Sequence, residues 1–142
     1  VRLYAESSAV LSWLLGEPQG EEVKRQLAAA EAVLTSVLTP VEVERVLIRA
    51  QITEGLNEGE IIDRRRTLAQ AGRHWHQIHL HEEILDRARR PFPGEPIRTL
   101  DALHLASALL AREAVPEIAI LSLDTVIRAT GGQLGFALLP AV

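Results

Sequence analysis

At 142 residues, with 47% hydrophobic and 24% charged side chains, the sequence has the size and composition of one globular domain spanning residues 1–142. It contains no cysteine, which excludes disulfides, zinc–thiolate centres, iron–sulfur clusters and thiol nucleophiles. A net charge of −4 argues against broad non-specific binding to nucleic acid, though not against a substrate reached through metal ions. No run approaches the ~18 apolar residues of a membrane span and no signal-peptide pattern opens the sequence, so the expectation is a cytoplasmic protein without a membrane partner.

Residues 3–6 form a short apolar run bounded by Ser7 and Ser8, which reads as a buried strand. A helix follows, with Ser8 as its N-cap and Gly16 as its stop. Residues 21–30 make a second helix, and the β-branched and apolar run 32–36 a second strand. A long helix starts at Thr39, with Gly55 and Gly59 separating it from an arginine-rich helix over 61–71. Residues 74–81 alternate polar and apolar side chains, as a short strand or connector does, ahead of a helix over 82–89. The prolines of 91–96 stiffen a loop. Thr99 opens a strong helix, 118–123 is the clearest buried strand, Gly131-Gly132 reads as a turn, and 136–139 as a last strand. Strands alternating with helices imply an α/β fold with a mostly parallel sheet.

Such sheets place ligands at the carboxyl ends of their strands. Glu6 ends the first strand and Asp124 directly follows the 118–123 strand, while Glu42 and Asp101 lie in the first turns of helices entered from that side. Carboxylates brought together raise one another's pKa unless a cation intervenes. Oxygen-only ligation suits Mg²⁺ or Mn²⁺, which activate water and stabilise a leaving oxygen in phosphodiester hydrolysis. Each acid also has a purely structural reading. Thr39-Pro40-Val41-Glu42 fits a capping box, Asp101 complements a helix N-terminus, and Asp124 fits an N-cap. Glu6 resists such a reading, because a carboxylate closing a buried strand needs partners.

Four stretches carry a family resemblance: Leu3-Tyr4-Ala5-Glu6-Ser7-Ser8-Ala9, Thr39-Pro40-Val41-Glu42, Arg98-Thr99-Leu100-Asp101-Ala102-Leu103-His104-Leu105-Ala106 and Ser122-Leu123-Asp124. In order and spacing the chain resembles the PIN domains, most closely the VapC-type ribonuclease toxins of toxin–antitoxin pairs. The resemblance implies a three-layer α/β/α fold and metal-dependent cleavage of RNA at an acidic quartet, here Glu6, Glu42, Asp101 and Asp124, holding Mg²⁺ or Mn²⁺. It further implies a homodimer and a cognate antitoxin whose tail covers the acidic cleft. One departure falls on the quartet itself. The family's first acid is normally aspartate, and Glu6 extends its carboxylate by about 1.5 Å. The rival reading is therefore a catalytically weak PIN-like module retained for binding a partner or RNA. After Asp124, where many relatives carry a further acid or polar residue, only Thr125 offers a ligand.

Around the acids, Ser7 and Ser122 are candidates to orient carboxylates, with capping as the alternative. Arg98 is a candidate substrate contact beside Asp101. His104, one turn beyond Asp101, reads more readily as a packed, hydrogen-bonded core histidine than as a site residue. His74, His76, His79 and His81 fall on opposed faces of either a strand or a helix, which argues against a four-histidine metal site. The run Arg64-Arg65-Arg66 fits a solvated helix face better than an RNA contact. There is no glycine-rich phosphate loop and no nucleophile elbow, so ATPase, dinucleotide-binding and serine-hydrolase functions have no support.

Overall fold

Five short runs pair into one all-parallel sheet in a computed structural model that describes residues 1–141. In chain order the elements are β1 (Arg2–Ala5), α1 (Ser7–Leu14), α2 (Gly20–Ala29), β2 (Ala32–Ser36), α3 (Leu38–Thr53), α4 (Glu58–Gly72), β3 (His76–Ile78), α5 (Glu82–Ala88), α6 (Thr99–Ala114), β4 (Ala119–Leu121), α7 (Thr125–Gln133) and β5 (Leu138–Leu139). The strands lie in the order β3-β2-β1-β4-β5. Parallel neighbours cannot be joined by a hairpin, so helices carry the crossovers and cover both faces.

The pleat decides which helices each strand residue meets. In β1, Tyr4 faces the side of Ile84 in α5, Leu105 in α6 and Ile127 in α7, and Ile120 of β4 joins them. On the other face, Ala5 packs with Val10 and Leu14 of α1, Val43 and Leu47 of α3, and Ile61 and Leu68 of α4. Leu3 and Leu121 meet Ala9 of α1 and Val23 of α2 there. The result is the expected three-layer α/β/α arrangement. The chain lays β2 and β3 on one side of β1, then crosses to lay β4 and β5 on the other. Open parallel sheets bind ligands at such a reversal, which here falls at the carboxyl ends of β1 and β4. Ala5 pairs with Leu121, and the Glu6 N–H still donates to the Leu121 carbonyl at 3.0 Å. Glu6 and the segment from Ser122 to Asp124 therefore leave the sheet side by side.

Several local expectations are corrected. The N-cap of α1 is Glu6, not Ser8: Glu6 has extended backbone and its carboxylate accepts from the Ser8 N–H. No capping box forms over Thr39 to Glu42, because α3 already starts at Leu38 without a side-chain cap. Thr39 is buried instead and accepts from Thr35 Oγ1 at 2.9 Å, tying α3 to β2. The capping box in this region is Asn57 with Glu60, at the start of α4. Gly131 and Gly132 are not a turn but part of α7. A Cβ on Gly131 would stand 3.0 Å from Ile120 Cδ1 and 3.3 Å from Leu138 Cδ2, so glycine lets the helix lie close on the sheet. The chain turns at Gly135, where φ is +92°.

The histidines His74, His76, His79 and His81 are all exposed around the edge strand β3, and among the described residues no metal-holding group includes them. Of the arginine run, Arg65 pairs with Glu44 across α3 and α4 at 3.2 Å, Arg66 pairs with Asp63, and Arg64 bonds the Glu60 carbonyl. Arg65 and Arg66 are exposed, while Arg64 is half-buried. Among the described residues no helix is long and apolar enough to cross a membrane.

Candidate active site

Three of the four acids stand where a strand hands over to a helix, and Asp101 follows the loop between α5 and α6. Glu6 follows β1 and caps α1, and Asp124 follows β4 and caps α7 by accepting from the Ile127 N–H at 2.9 Å. Glu42 lies in the second turn of α3, which β2 feeds. Asp101 sits in the first turn of α6, where negative charge complements the helix dipole. Capping and convergence are thus compatible: a cap at a strand's carboxyl end is held where the strand order reverses.

Glu6 is almost wholly buried and its partners are now visible. Its Oε1 accepts from Ser122 Oγ at 2.5 Å and Ser8 Oγ at 2.6 Å, and its Oε2 accepts from the Ser8 N–H at 3.1 Å. Ser8 Oγ in turn accepts from the Leu123 N–H, and Ser122 Oγ from the Asp124 N–H. These bonds stitch the end of β1 to the end of β4. Glu42 is held differently. Its Oε1 accepts from Ser7 Oγ at 2.7 Å and from His104 Nε2 at 2.5 Å, while Tyr4 OH meets His104 Nδ1 at 2.8 Å. Both serines proposed as orienting residues bond a carboxylate, though not the one beside them in sequence: Ser7 holds Glu42, and Ser122 holds Glu6.

The electrostatics follow from these placements. Burial raises the Asp101 carboxyl pKa above the usual range, and the charges of Asp124, Glu6 and Glu42 raise it further, against a lowering influence from His104. Burial also acts to raise Glu42, but hydrogen bonds from His104 and Ser7, with the His104 charge, outweigh it and hold Glu42 below the usual range. Burial first, then the charges of Glu6 and Glu42, push the Tyr4 phenol far above its ordinary value, so it stays protonated. Among the described residues no lysine or arginine pairs with any of the four acids.

An oxygen-only donor set with uncompensated like charge is the chemistry that a hard divalent cation fits. The carboxylates do not already form a cage, and among the described residues no three histidine, aspartate or glutamate side chains are arranged to hold an ion. The reason is visible in the bonds above: Glu6 and Glu42 each turn an oxygen toward hydroxyl or imidazole donors.

Arg98 is the exposed N-cap of α6, three residues ahead of Asp101, and makes no cap bond. Arg128 was not singled out in the sequence, yet its guanidinium donates to the Ser122 carbonyl at 2.8 Å and is the cation tied most directly to this corner. Ser8 and Tyr4 belong to the same corner, Ser8 bonding Glu6 and Tyr4 bonding His104. For Ser8 a signal existed, since a serine two residues after a strand-ending acid fits a cap. For Tyr4, one hundred residues from His104, spacing offers none.

Removing the Glu6 carboxylate tests how much of it is structural. Glu6→Ala deletes the α1 cap and orphans the Ser8 and Ser122 hydroxyls, so it is expected to cost about 1–3 kcal/mol. Urea denaturation reads this as a lowered midpoint at unchanged slope.

The fold belongs to a known class. A PIN domain profile matches residues 3–138, and the chain belongs to the PIN domain family. In sequence it is 33% identical over 108 residues to Ribonuclease VapC46 of Mycobacterium tuberculosis, spanning 75% of this chain and 73% of that protein. Its fold is similar to that of a toxin–antitoxin complex from Klebsiella pneumoniae, with a TM-score of 0.66 and 16% identity over 97% of this chain and 96% of that one. It is also similar to VapC20 of Mycobacterium tuberculosis, a sarcin–ricin loop cleaving toxin, with a TM-score of 0.67 and 15% identity over 95% and 96%.

Proposed function

We propose that the chain is a metal-dependent endoribonuclease, the toxin of a type II toxin–antitoxin pair, hydrolysing RNA phosphodiesters at Glu6, Glu42, Asp101 and Asp124. The observation that carries this reading is geometric: Glu6 and Asp124 leave β1 and β4 side by side, joined through the Ser122 hydroxyl, while Glu42 is bonded to His104, one turn beyond Asp101 on α6. The relative VapC46 is a ribonuclease, and one structural neighbour is a toxin–antitoxin complex, which supports the same activity and context here.

Asp101, Asp124 and Glu42 would hold Mg²⁺ or Mn²⁺, with Glu6 as the fourth carboxylate. Such an ion, when bound, supplies water activation and neutralises charge on the phosphate. The protein's own part is positional. Ser7 Oγ and His104 Nε2 keep their protons directed at Glu42 Oε1, so Glu42 remains ionised and oriented. The Ser8 and Ser122 hydroxyls fix Glu6 at the join of β1 and β4. Arg98, exposed at the entrance to α6, offers positive charge to an RNA phosphate. A cognate antitoxin tail placing an arginine among the acids would substitute for the cation and silence the site. By likeness to the family the working state is a cytoplasmic homodimer.

A second reading has one observation in its favour. Glu6 Oε1 is occupied by two hydroxyl donors, which suits a catalytically weak module that binds a partner or RNA. Titration of the purified protein with Mn²⁺, followed by RNA cleavage, separates the two. The nuclease is expected to bind Mn²⁺ and to cut RNA in a manner reversed by chelation. Absence of both Mn²⁺ binding and cleavage across varied RNA would leave the binding module.

A further inference from the structure

We propose that His104 is a positioning residue: through the chain Tyr4–His104–Glu42–Ser7 it spends one oxygen of Glu42 and presents the other to the cation. This deepens the nuclease reading and rests on it.

The chain draws one side chain from each of four elements: Tyr4 from β1, His104 from α6, Glu42 from α3 and Ser7 at the start of α1. Tyr4 and His104 are 1% and 2% exposed, so their bonds have little competition from water. The direction of the bonds follows from the groups. An ionised carboxylate only accepts, hence His104 Nε2 carries a proton and donates to Glu42. The Tyr4 hydroxyl meets the other ring nitrogen, Nδ1, at 2.8 Å and fixes the orientation of the imidazole, as a second partner does for histidines around metal sites.

What the chain does to Glu42 is specific. Ser7 and His104 both donate to Oε1, at 2.7 and 2.5 Å, and Oε2 accepts no hydrogen bond among the described residues. The Glu42 side chain is 24% exposed, so Oε2 belongs to a group that water, and hence an ion, can reach. Two donors on one oxygen arrest rotation of the carboxylate and remove the freedom a glutamate would otherwise lose on binding. A purely structural histidine has no need of this arrangement. Among the described residues the His104 ring bonds side chains alone, and it links the buried Tyr4 hydroxyl to Glu42.

The test measures Mn²⁺ affinity by calorimetry and by electron paramagnetic resonance, on the full chain. His104→Phe keeps the ring's bulk without a donor and is expected to weaken Mn²⁺ binding about 10–100-fold, the usual cost of losing a residue that orients a ligand. His104→Gln, which restores an N–H donor, is expected to recover most of the loss, which a merely packed residue would not do. Tyr4→Phe removes one hydroxyl and is expected to weaken binding by a smaller factor. Folding is followed by circular dichroism. Wild-type affinity in a folded His104→Phe, or no recovery in a folded His104→Gln, overturns the inference while leaving the nuclease reading intact. Should His104→Phe fail to fold, wild-type affinity in Tyr4→Phe overturns it equally. If the wild-type protein itself binds no Mn²⁺, the metal reading falls and takes this inference with it.

Discussion

Asp101→Asn is expected to reduce RNA hydrolysis by about 10³-fold, equivalent to about 4 kcal/mol of transition-state stabilisation. The substitution preserves shape and the helix start while removing the charge on which the proposed metal site depends. The same variant is expected to be slightly more stable than wild type without metal. Burial and the neighbouring charges of Asp124, Glu6 and Glu42 raise the folded-state pKa of Asp101 above its unfolded value. The folded protein therefore holds this proton more tightly than the unfolded chain. As pH rises through the interval between the two pKa values, stability falls, and it stays lowered at neutral pH. Asparagine abolishes that penalty. Asp101 remains partly open to water, so screening limits the gain to at most about 1 kcal/mol, or about 2–4 °C in Tm. A gain in stability with a loss of cleavage cannot come from misfolding. Undiminished cleavage by Asp101→Asn would refute the acidic quartet as the site of hydrolysis.

Leu105→Ala is expected to cost about 3 kcal/mol, roughly 6–12 °C in Tm for a chain of this length. Leu105 is fully buried on α6 in the cluster that holds Tyr4, Ile120, Ile127 and Phe136. Truncation removes apolar contact and leaves a cavity that these neighbours, fixed by the sheet and by α7, fill only in part. Against a typical total of about 5–15 kcal/mol this is a large fraction. Calorimetry measures the loss, and a cost under about 1 kcal/mol would show that the α6 layer repacks freely. Leu105 neighbours His104 in sequence yet lies outside the hydrogen-bonded chain to Glu42. Mn²⁺ affinity of the folded variant is therefore expected to stay close to wild type, in contrast to His104→Phe.

The elements were legible in the sequence where one local signal dominated. The apolar run before Ser7, the β-branched stretch over 32–36 and the periodic helix from Thr39 each carry their own pattern, and the structure has β1, β2 and α3 there. The readings failed where one residue type serves two purposes. Glycine at 131 and 132 reads as a turn, but the same lack of a Cβ also permits the close approach of α7 to Ile120 and Leu138. Threonine at 39 followed by glutamate at 42 reads as a capping box, but Thr39 is drawn inward to Thr35 and leaves Glu42 free for Ser7 and His104.

The excess of acid over base and the absence of cysteine, with which the sequence opens, direct attention to carboxylates, and the alternation of strands and helices says at which end of a sheet they stand. That much the sequence determines by itself, because composition and hydrophobic period are local properties. Which hydroxyl holds which carboxylate was decided only by the tertiary structure. Ser7 lies beside Glu6 but bonds Glu42, Ser122 lies two residues from Asp124 but bonds Glu6, and Tyr4 reaches His104 on α6. Successive residues on a strand point to opposite faces, and successive residues on a helix point about 100° apart around its axis. Neighbours in sequence are thus sent to different partners, and only the packing of α1, α3 and α6 against the sheet selects them.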